Sequence, residues 1–189
     1  REKEMDKGAG VTQDLAEFAS KMTFDKLPSE VVHQTKRVIC DSIGCALGGY
    51  SSEKGRIVRN FVKTLGGNQE ATIIGSGDKT SCTNAAFANA NMGNAIDSDD
   101  TIMMCHPAVP TIFAAFPIAE KNKVSGKDFI TAIATGYDVA IRIGGAGESW
   151  VKVEQGKHGL IIRTLPVCGY SWHIFGGAVA AAKLLNLSA

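Results

Sequence analysis

The chain has 189 residues, of which 44% are hydrophobic and 21% charged, and its 20 basic and 19 acidic side chains give a formal charge of +1 at pH 7. This composition is typical of a globular protein, and the length accommodates one hydrophobic core. The balanced charge excludes a general attraction to nucleic acid or anionic membranes, and no apolar run approaches the roughly 18 residues of a membrane span. We therefore expect a soluble, cytoplasmic protein with neither a nucleic-acid nor a membrane partner.

The five cysteines are scattered and odd in number, and no two of them form a Cys-x-x-Cys pair: Cys40, Cys45, Cys82, Cys105 and Cys168. Most of them lie in runs of apolar or small residues, where thiols usually stay reduced and buried. The cysteines therefore predict neither a disulfide framework nor a zinc site.

Apolar residues recur at three-to-four spacing along most of the chain, a pattern that predicts helices. Residues 1–10 lack this periodicity, so we expect them to form a disordered tail. The hydroxyl groups of Thr12 and Ser29 are expected to cap the first two helices. In chain order, the predicted helices cover residues 12–24, 29–47, 52–65, 81–96, 108–120, 126–141 and 175–187.

Two stretches depart from this periodicity. Residues 71–75, Ala-Thr-Ile-Ile-Gly, have β-branched character and end on a glycine, so they predict one short extended segment. Residues 144–169 are rich in glycine turns and predict a long connection of the kind that often carries function.

The expected fold is all-α, a packed helical domain over residues 11–189. We expect the helices within residues 11–47 and 108–143 to form its core, and residues 91–107 to line a cleft. Glycine is abundant, at 21 residues, which suits helices that pack closely through small side chains.

The densest polar stretch is residues 91–101, Asn-Met-Gly-Asn-Ala-Ile-Asp-Ser-Asp-Asp-Thr, and His106-Pro107 follows shortly after it. Asp97 and Thr101 are four residues apart and would share one face if the helix continued through them. Three interpretations remain open. The stretch is a solvated helix end, a divalent metal site built from carboxylates and one imidazole, or an acid–base site in which His106 titrates and Asp97 orients it.

The other histidines give weaker signals. His33 lies within a helix and is expected to be exposed, whereas His158 beside Lys157 is either an anion contact or a solvated turn. His173 has apolar neighbours, which fit a core histidine as well as a functional one. The glycine-rich segments lack the Gly-Lys-Ser/Thr ending of a phosphate loop, and the sequence contains neither Gly-x-Ser-x-Gly nor His-Glu-x-x-His, so nucleotide-binding, serine-hydrolase and zincin motifs are excluded.

The sequence resembles the MmgE/PrpD family of small-carboxylate dehydratases and decarboxylases. The likeness lies in residues 36–49, which include the run Gly-Cys-Ala, in residues 85–107 with their acidic segment and His-Pro, and in residues 175–187, Phe-Gly-Gly-Ala-Val-Ala-Ala-Ala-Lys-Leu-Leu-Asn-Leu. Residues 137–142 add a weaker match. These segments follow one another in family order and span nearly the whole chain.

The resemblance implies a helical amino-terminal domain whose substrate pocket needs no cofactor and no metal. In the family, the Asp and Thr of the acidic segment and the His before Pro line that pocket. The usual family His is Asn94 here and the usual Phe is Ser98, and no second histidine stands at the family's usual distance before Phe175. We therefore expect catalytic roles for His106 and Asp97, and substrate-binding roles for Thr101, Asn94, His158 and His173.

The function that this resemblance implies is lyase chemistry on a small di- or tricarboxylate, with 2-methylcitrate dehydration as the leading prediction. Decarboxylation of cis-aconitate and epimerisation of iminodisuccinate are alternatives in the same pocket. Family chains run to more than twice this length and carry a lid domain, which we expect to be absent from this chain. A non-catalytic helical dimerisation or binding module is the alternative from another class, and a homodimer is expected in either case.

Overall fold

The computed structural model describes residues 10–102, 105–146, 151–164 and 172–189, and over these residues the predicted all-α fold is confirmed. Each predicted helix is present, with ends shifted by a few residues. A 3-10 turn, Phe24–Lys26, follows the first helix. The seven described α-helices are α1 (Val11–Lys21), α2 (Ser29–Tyr50), α3 (Glu53–Leu65), α4 (Cys82–Gly93), α5 (Ala108–Asn122), α6 (Gly126–Ala146) and α7 (Ile174–Leu184).

Serine side chains begin two of these helices. Ser52 Oγ accepts a hydrogen bond from the Gly55 amide at the start of α3, and Ser81 Oγ accepts from the Asn84 amide at the start of α4. The expected caps at Thr12 and Ser29 are wrong: α1 follows Gly10 and α2 follows Pro28, with no side-chain cap at either start. Pro28 presets the backbone before α2, so the helix begins one residue earlier than a Ser29 cap allows.

Helix α5 forms the centre of the core and contacts α2, α4, α6 and α7. Its Ile112 and Phe113 are fully buried, as are Met92 of α4 and Ile133 of α6. This agrees with the core expected for residues 108–143. Helix α1 differs from the prediction, because only Ala19 of it is buried and its other side chains reach the surface.

Lysine, rather than apolar packing, holds the carboxyl end of α1. Lys183 Nζ of α7 donates to the carbonyl oxygens of Ala19 at 2.8 Å and Met22 at 2.6 Å. A cation at a helix carboxyl terminus satisfies the carbonyl groups that the helix leaves open.

Helices α5, α6 and α7 approach each other through small residues. A side-chain methyl at Gly136 of α6 would overlap the carbonyl oxygen of Gly176 in α7, and one at Gly176 would overlap Thr111 Oγ1 of α5. The close helix packing predicted from the glycine content is therefore present at this three-helix contact.

Two short antiparallel hairpins accompany the helices. The extended segment predicted at residues 71–75 is confirmed as β1 (Ala71–Thr72), which pairs with β2 (Lys79–Thr80) across a turn in which Gly75 and Gly77 have positive φ. The second hairpin, β3 (Val151–Gly156) with β4 (Gly159–Thr164), was not predicted. It replaces much of the connection expected over residues 144–169, because Gly159 at φ 129° permits a two-residue turn.

No described helix is long and apolar enough to cross a membrane. Among the described cysteines, Cys45 and Cys105 are buried, Cys82 is half-buried and Cys40 is exposed. Cys168 and most of the predicted tail, residues 1–9, lie outside the described residues.

Candidate active site

The polar stretch begins in the last turn of α4, and residues 94–107 form the loop between α4 and α5. Helix α4 stops at Gly93, and the Asn94 amide donates back to the carbonyls of Ala90 and Met92. Asp97 has φ 51°, a left-handed conformation that a helix cannot include. The helix therefore does not continue through Asp97 and Thr101, so the two do not share a helical face, and Thr101 is exposed to solvent.

His106 lies between two carboxylates of this loop. Its Nε2 is 3.6 Å from Asp97 Oδ1, and its Nδ1 is 3.4 Å from Asp99 Oδ2. The Asp97 side chain is 83% exposed, that of His106 is 18% exposed, and that of Asp99 is completely buried. The contact with Asp99 is electrostatic rather than an aligned hydrogen bond. One ring nitrogen of His106 therefore lies beside a buried carboxylate, and the other lies beside a carboxylate that is in contact with solvent.

Asn94 supports the buried carboxylate. Its Nδ2 lies 3.1 Å from Asp99 Oδ1 and 3.4 Å from Asp99 Oδ2, and it donates to this carboxylate. The structure thus brings Asn94 into the site, where its amide is engaged with Asp99.

Asp100 connects the loop to two helices. Its Oδ1 accepts from the Ala108 amide at 3.0 Å, and its Oδ2 accepts from the Tyr137 hydroxyl of α6 at 2.8 Å. Burial raises the pKa of the Asp100 carboxyl, and these two hydrogen bonds partly oppose that effect. Burial and the neighbouring Asp100 charge also raise the pKa of the Tyr137 hydroxyl. The tyrosine therefore stays a hydrogen-bond donor at neutral pH.

The two other candidate histidines have different positions. His173 precedes α7 and is half-buried, and its pKa is lowered by burial and by the nearby positive charge of His106. His158 is exposed in the turn between β3 and β4, and no hydrogen bond or ion pair of the described residues joins it to His106.

A comparison of the sequence with known protein families places this loop in a known context. Residues 13–189 match the family described as the MmgE/PrpD N-terminal domain. The chain belongs to the MmgE/PrpD family. The match includes every helix from α2 to α7 and the whole loop between α4 and α5.

Curated relatives of this MmgE/PrpD domain include three proteins named cis-aconitate decarboxylase. The protein from Aspergillus terreus is 29% identical over 187 residues, covering 95% of this chain and 36% of the relative. Those from Mus musculus and Homo sapiens are each 27% identical over 188 residues, covering 94% of this chain and 36% of the relative. The chain thus spans little more than a third of the length of these proteins.

Sequence reasoning missed three residues of the MmgE/PrpD loop and its surroundings. It selected Asp97 but not Asp99 or Asp100, and it gave Tyr137 no role although Tyr137 begins a segment with weak family similarity. Inward-facing side chains do not recur at a fixed spacing in an irregular loop, so the sequence cannot show which of three neighbouring carboxylates turns inward. A tyrosine 37 residues beyond its partner carries no local signal either.

Asp97, Asp99 and His106 also fit the interpretation of this MmgE/PrpD loop as a divalent metal site. Ligand atoms of Asp97, Asp99 and His106 all lie within 4.8 Å of one another. Two carboxylates and one imidazole suit a divalent cation whose remaining ligands are water or substrate oxygens. The geometry therefore accommodates a cation as well as the acid–base arrangement.

Proposed function

We propose that the protein carrying this domain is a lyase that acts on a small di- or tricarboxylate by acid–base catalysis. The observation that carries the proposal is the His106 imidazole between a buried and an exposed carboxylate, on a loop of an MmgE/PrpD domain. Histidine is the side chain whose ordinary titration range includes neutral pH, so it suits reversible proton transfer.

Asp97 and Asp99 have different proposed roles, because their contacts with His106 differ. Asp99 is buried beside Nδ1 and holds one side of the ring, whereas Nε2 faces exposed Asp97. Nε2 is therefore the atom proposed to exchange a proton with substrate, and Asp97 is proposed to orient the ring or to carry the second proton. Dehydration, decarboxylation and epimerisation all generate carbanion-like charge next to a carboxylate, so each needs such a proton donor or acceptor.

Electrostatics limit what this loop does by itself. Asp97, Asp99 and Asp100 place three carboxylates on this loop, and His106 contacts the first two. A substrate with two or three carboxylates is repelled by this cluster unless cations offset the charge. We propose that His173 and Thr101 bind substrate here, and that the remaining cations come from the lid domain that the family resemblance implies.

The relatives influence the choice of substrate. Because they are named cis-aconitate decarboxylase, we place decarboxylation of cis-aconitate first and the dehydration of 2-methylcitrate, which the sequence predicts, second. Decarboxylation releases CO2 and leaves an electron pair on carbon, which the imidazolium of His106 can protonate. Dehydration instead needs a proton removed from carbon and another delivered to the departing hydroxide.

The experiment is incubation of the complete protein with cis-aconitate, 2-methylcitrate and iminodisuccinate, each followed by proton NMR. We expect one of the three to be converted, with cis-aconitate losing CO2. Conversion of 2-methylcitrate alone would replace decarboxylation by dehydration. No conversion of any of them would contradict the lyase proposal and favour the non-catalytic module.

A further inference from the structure

We propose that Asp100 and Tyr137 are positioning residues that fix the His106 imidazole between Asp97 and Asp99. This inference rests on the proposed function, because it assigns these residues to the same reaction. Neither residue is proposed to touch substrate, and their effect is exerted through the backbone on either side of His106.

Asp100 is attached on the far side of the segment that carries His106. Its Oδ1 accepts from the amide of Ala108, at the first residue of α5, and so closes the segment that contains His106. Asp100 lies six residues before His106 and Ala108 lies two residues after it. One side chain thus joins the two ends of the short segment on which the imidazole is carried.

Within the segment that Asp100 closes, further contacts hold the backbone on both sides of His106. Ile102 and Cys105 pair as an isolated antiparallel bridge, with both backbone hydrogen bonds at 2.9 Å. Cys105 immediately precedes His106 and is buried, and Pro107 immediately follows it and is also buried. The backbone of His106 is therefore held on both sides, and the carboxylate of Asp100 closes the outer end.

Tyr137 holds the Asp100 side chain against a helix of the core. Tyr137 belongs to α6, which packs against α5 and α7, and its hydroxyl donates to the second oxygen of Asp100. Asp100 thus ties the loop to two core helices at once. A partly buried carboxylate that loses one of its hydrogen bonds is costly to keep in place, so the Tyr137 hydroxyl stabilises this conformation of the loop.

The consequence for catalysis follows from geometry. His106 contacts its two carboxylates at 3.4 and 3.6 Å, distances that a shift of a fraction of an ångström would change. Displacement of a catalytic group by about 1 Å costs on the order of 100-fold in rate. Loosening the loop should therefore lower the catalytic rate without removing any group that binds substrate.

The test uses the complete protein and the variants Tyr137→Phe, Asp100→Asn and Asp100→Ala, with Tyr50→Phe as the matched tyrosine control. Tyr137→Phe keeps the ring and removes only the hydroxyl. Asp100→Asn keeps an oxygen for the Ala108 amide and can donate its own amide to the Tyr137 oxygen. The measurements are kcat, KM, the thermal midpoint and the carbon–proton NMR signal of the His106 ring, assigned from its loss in His106→Ala.

We expect Tyr137→Phe to lower kcat roughly 10-fold with KM within about twofold of the parent, and to shift the His106 signal. Asp100→Asn should retain more activity than Asp100→Ala, and adding Tyr137→Phe to Asp100→Ala should lower kcat no further. Tyr50→Phe should change neither kcat nor the signal.

The outcomes separate this inference from the proposed function. If the parent converts no carboxylate, the lyase proposal fails, while the His106 signal in Tyr137→Phe still tests positioning. A lower thermal midpoint with an unchanged signal and unchanged kcat would show a purely structural pair and overturn the inference. Should Tyr137→Phe not fold, Asp100→Ala supplies the same test, and a parent-like signal in both Asp100 variants would overturn it equally.

Discussion

His106 is the residue on which the proposed chemistry depends. Replacing His106 with Ala in the complete protein should lower the rate by roughly 100-fold or more, the usual scale for loss of a general acid or base. The His106 side chain is 18% exposed and lies on a loop outside the helical core, so the variant should remain folded. Steady-state rates and circular dichroism of the variant and the parent measure both expectations.

His33→Ala is the matched control, because His33 is exposed on α2 and outside the loop. It should change neither the rate nor the fold. Parent-like turnover by His106→Ala on every carboxylate that the parent accepts would remove the acid–base role. Unfolding of His106→Ala would instead assign the histidine a structural role.

At the residue level, the sequence predicts which side chains lie close together only where they are near each other in the chain, and their catalytic roles stay a prediction. The pairing of Asp97 with His106 follows from a carboxylate and an imidazole in one short polar stretch, and the structure places them 3.6 Å apart. The buried role of Asp99 did not follow, because it depends on the left-handed turn at Asp97. His158 and His173 could not be ranked from sequence, since their distance from His106 is set by the fold.

Glycine contacts between α5, α6 and α7 give a prediction at the scale of elements. Gly136→Ala should destabilise the domain by roughly 1–3 kcal/mol, because its methyl group would overlap the Gly176 carbonyl oxygen and force the helices apart. Urea denaturation measures the change in the free energy of unfolding.

The control for that substitution is Gly44→Ala, also within a helix. Gly44 is exposed on α2, and an added methyl group would meet nothing within 4 Å. Alanine should raise the free energy of unfolding there by about 0.5–1 kcal/mol, because it restricts the unfolded chain and favours helix. Equal losses at the two positions would contradict the packing explanation.

A second element-level prediction concerns Glu120, which ties the β1–β2 hairpin to α5. Its carboxylate accepts from the Thr72 amide at 2.7 Å and from Lys79 Nζ at 3.0 Å. Burial alone would raise the pKa of Glu120, but hydrogen bonds from Thr72 and Lys79 lower it overall from the ordinary value of 4.5. A lowered pKa means that the folded state favours the charged form. The stabilisation is therefore complete above pH 4.5 and is lost as the pH falls through the lowered pKa.

Glu120→Gln should accordingly cost roughly 1–3 kcal/mol at pH 7, and the difference from the parent should shrink as the pH falls below about 4.5. Denaturation curves at pH 7, 5 and 3 measure this difference in the free energy of unfolding. Glu17→Gln is the control, because Glu17 pairs with Lys21 in an exposed position and should contribute much less. A loss that is the same at pH 7 and pH 3 would show that charge is not its source.

Helices and hairpins differed in how far the sequence predicted them. Amphipathic spacing of three to four residues repeats over several turns, so each helix was found with only its ends misplaced. The β3–β4 hairpin has strands of six residues and exposes Leu160 and Ile161, so it lacks the one-sided burial that gives a strand its alternating pattern. Its turn signal, two glycines around two polar residues, is also typical of a glycine-rich connection.

At the scale of the whole molecule, the expected homodimer needs a different reason from the one the sequence suggested. Small-residue helix faces were expected to pack against a second copy, but those around Gly136 and Gly176 pack inside the domain. The structure exposes another apolar surface instead. Ile57, Phe61 and Leu65 follow one another at four-residue spacing on α3 and are about half exposed, and Phe61 packs edge-on against half-exposed Phe87 of α4 at 6.0 Å.

This α3–α4 surface suits a second copy of the chain related by a twofold axis. Ile57, Phe61 and Leu65 lie on one face of α3, so the antiparallel α3 helices of two copies can pack these side chains against each other. Contiguous apolar surface of this kind marks interfaces on folded proteins.

We expect the complete protein to be a dimer by light scattering, and Ile57→Gln with Phe61→Gln to shift it toward monomer. Val11→Gln, which changes an equally exposed apolar residue on α1, should leave the mass unchanged. A monomeric parent would contradict the dimer, and a dimer unaffected by the double substitution would place its interface elsewhere.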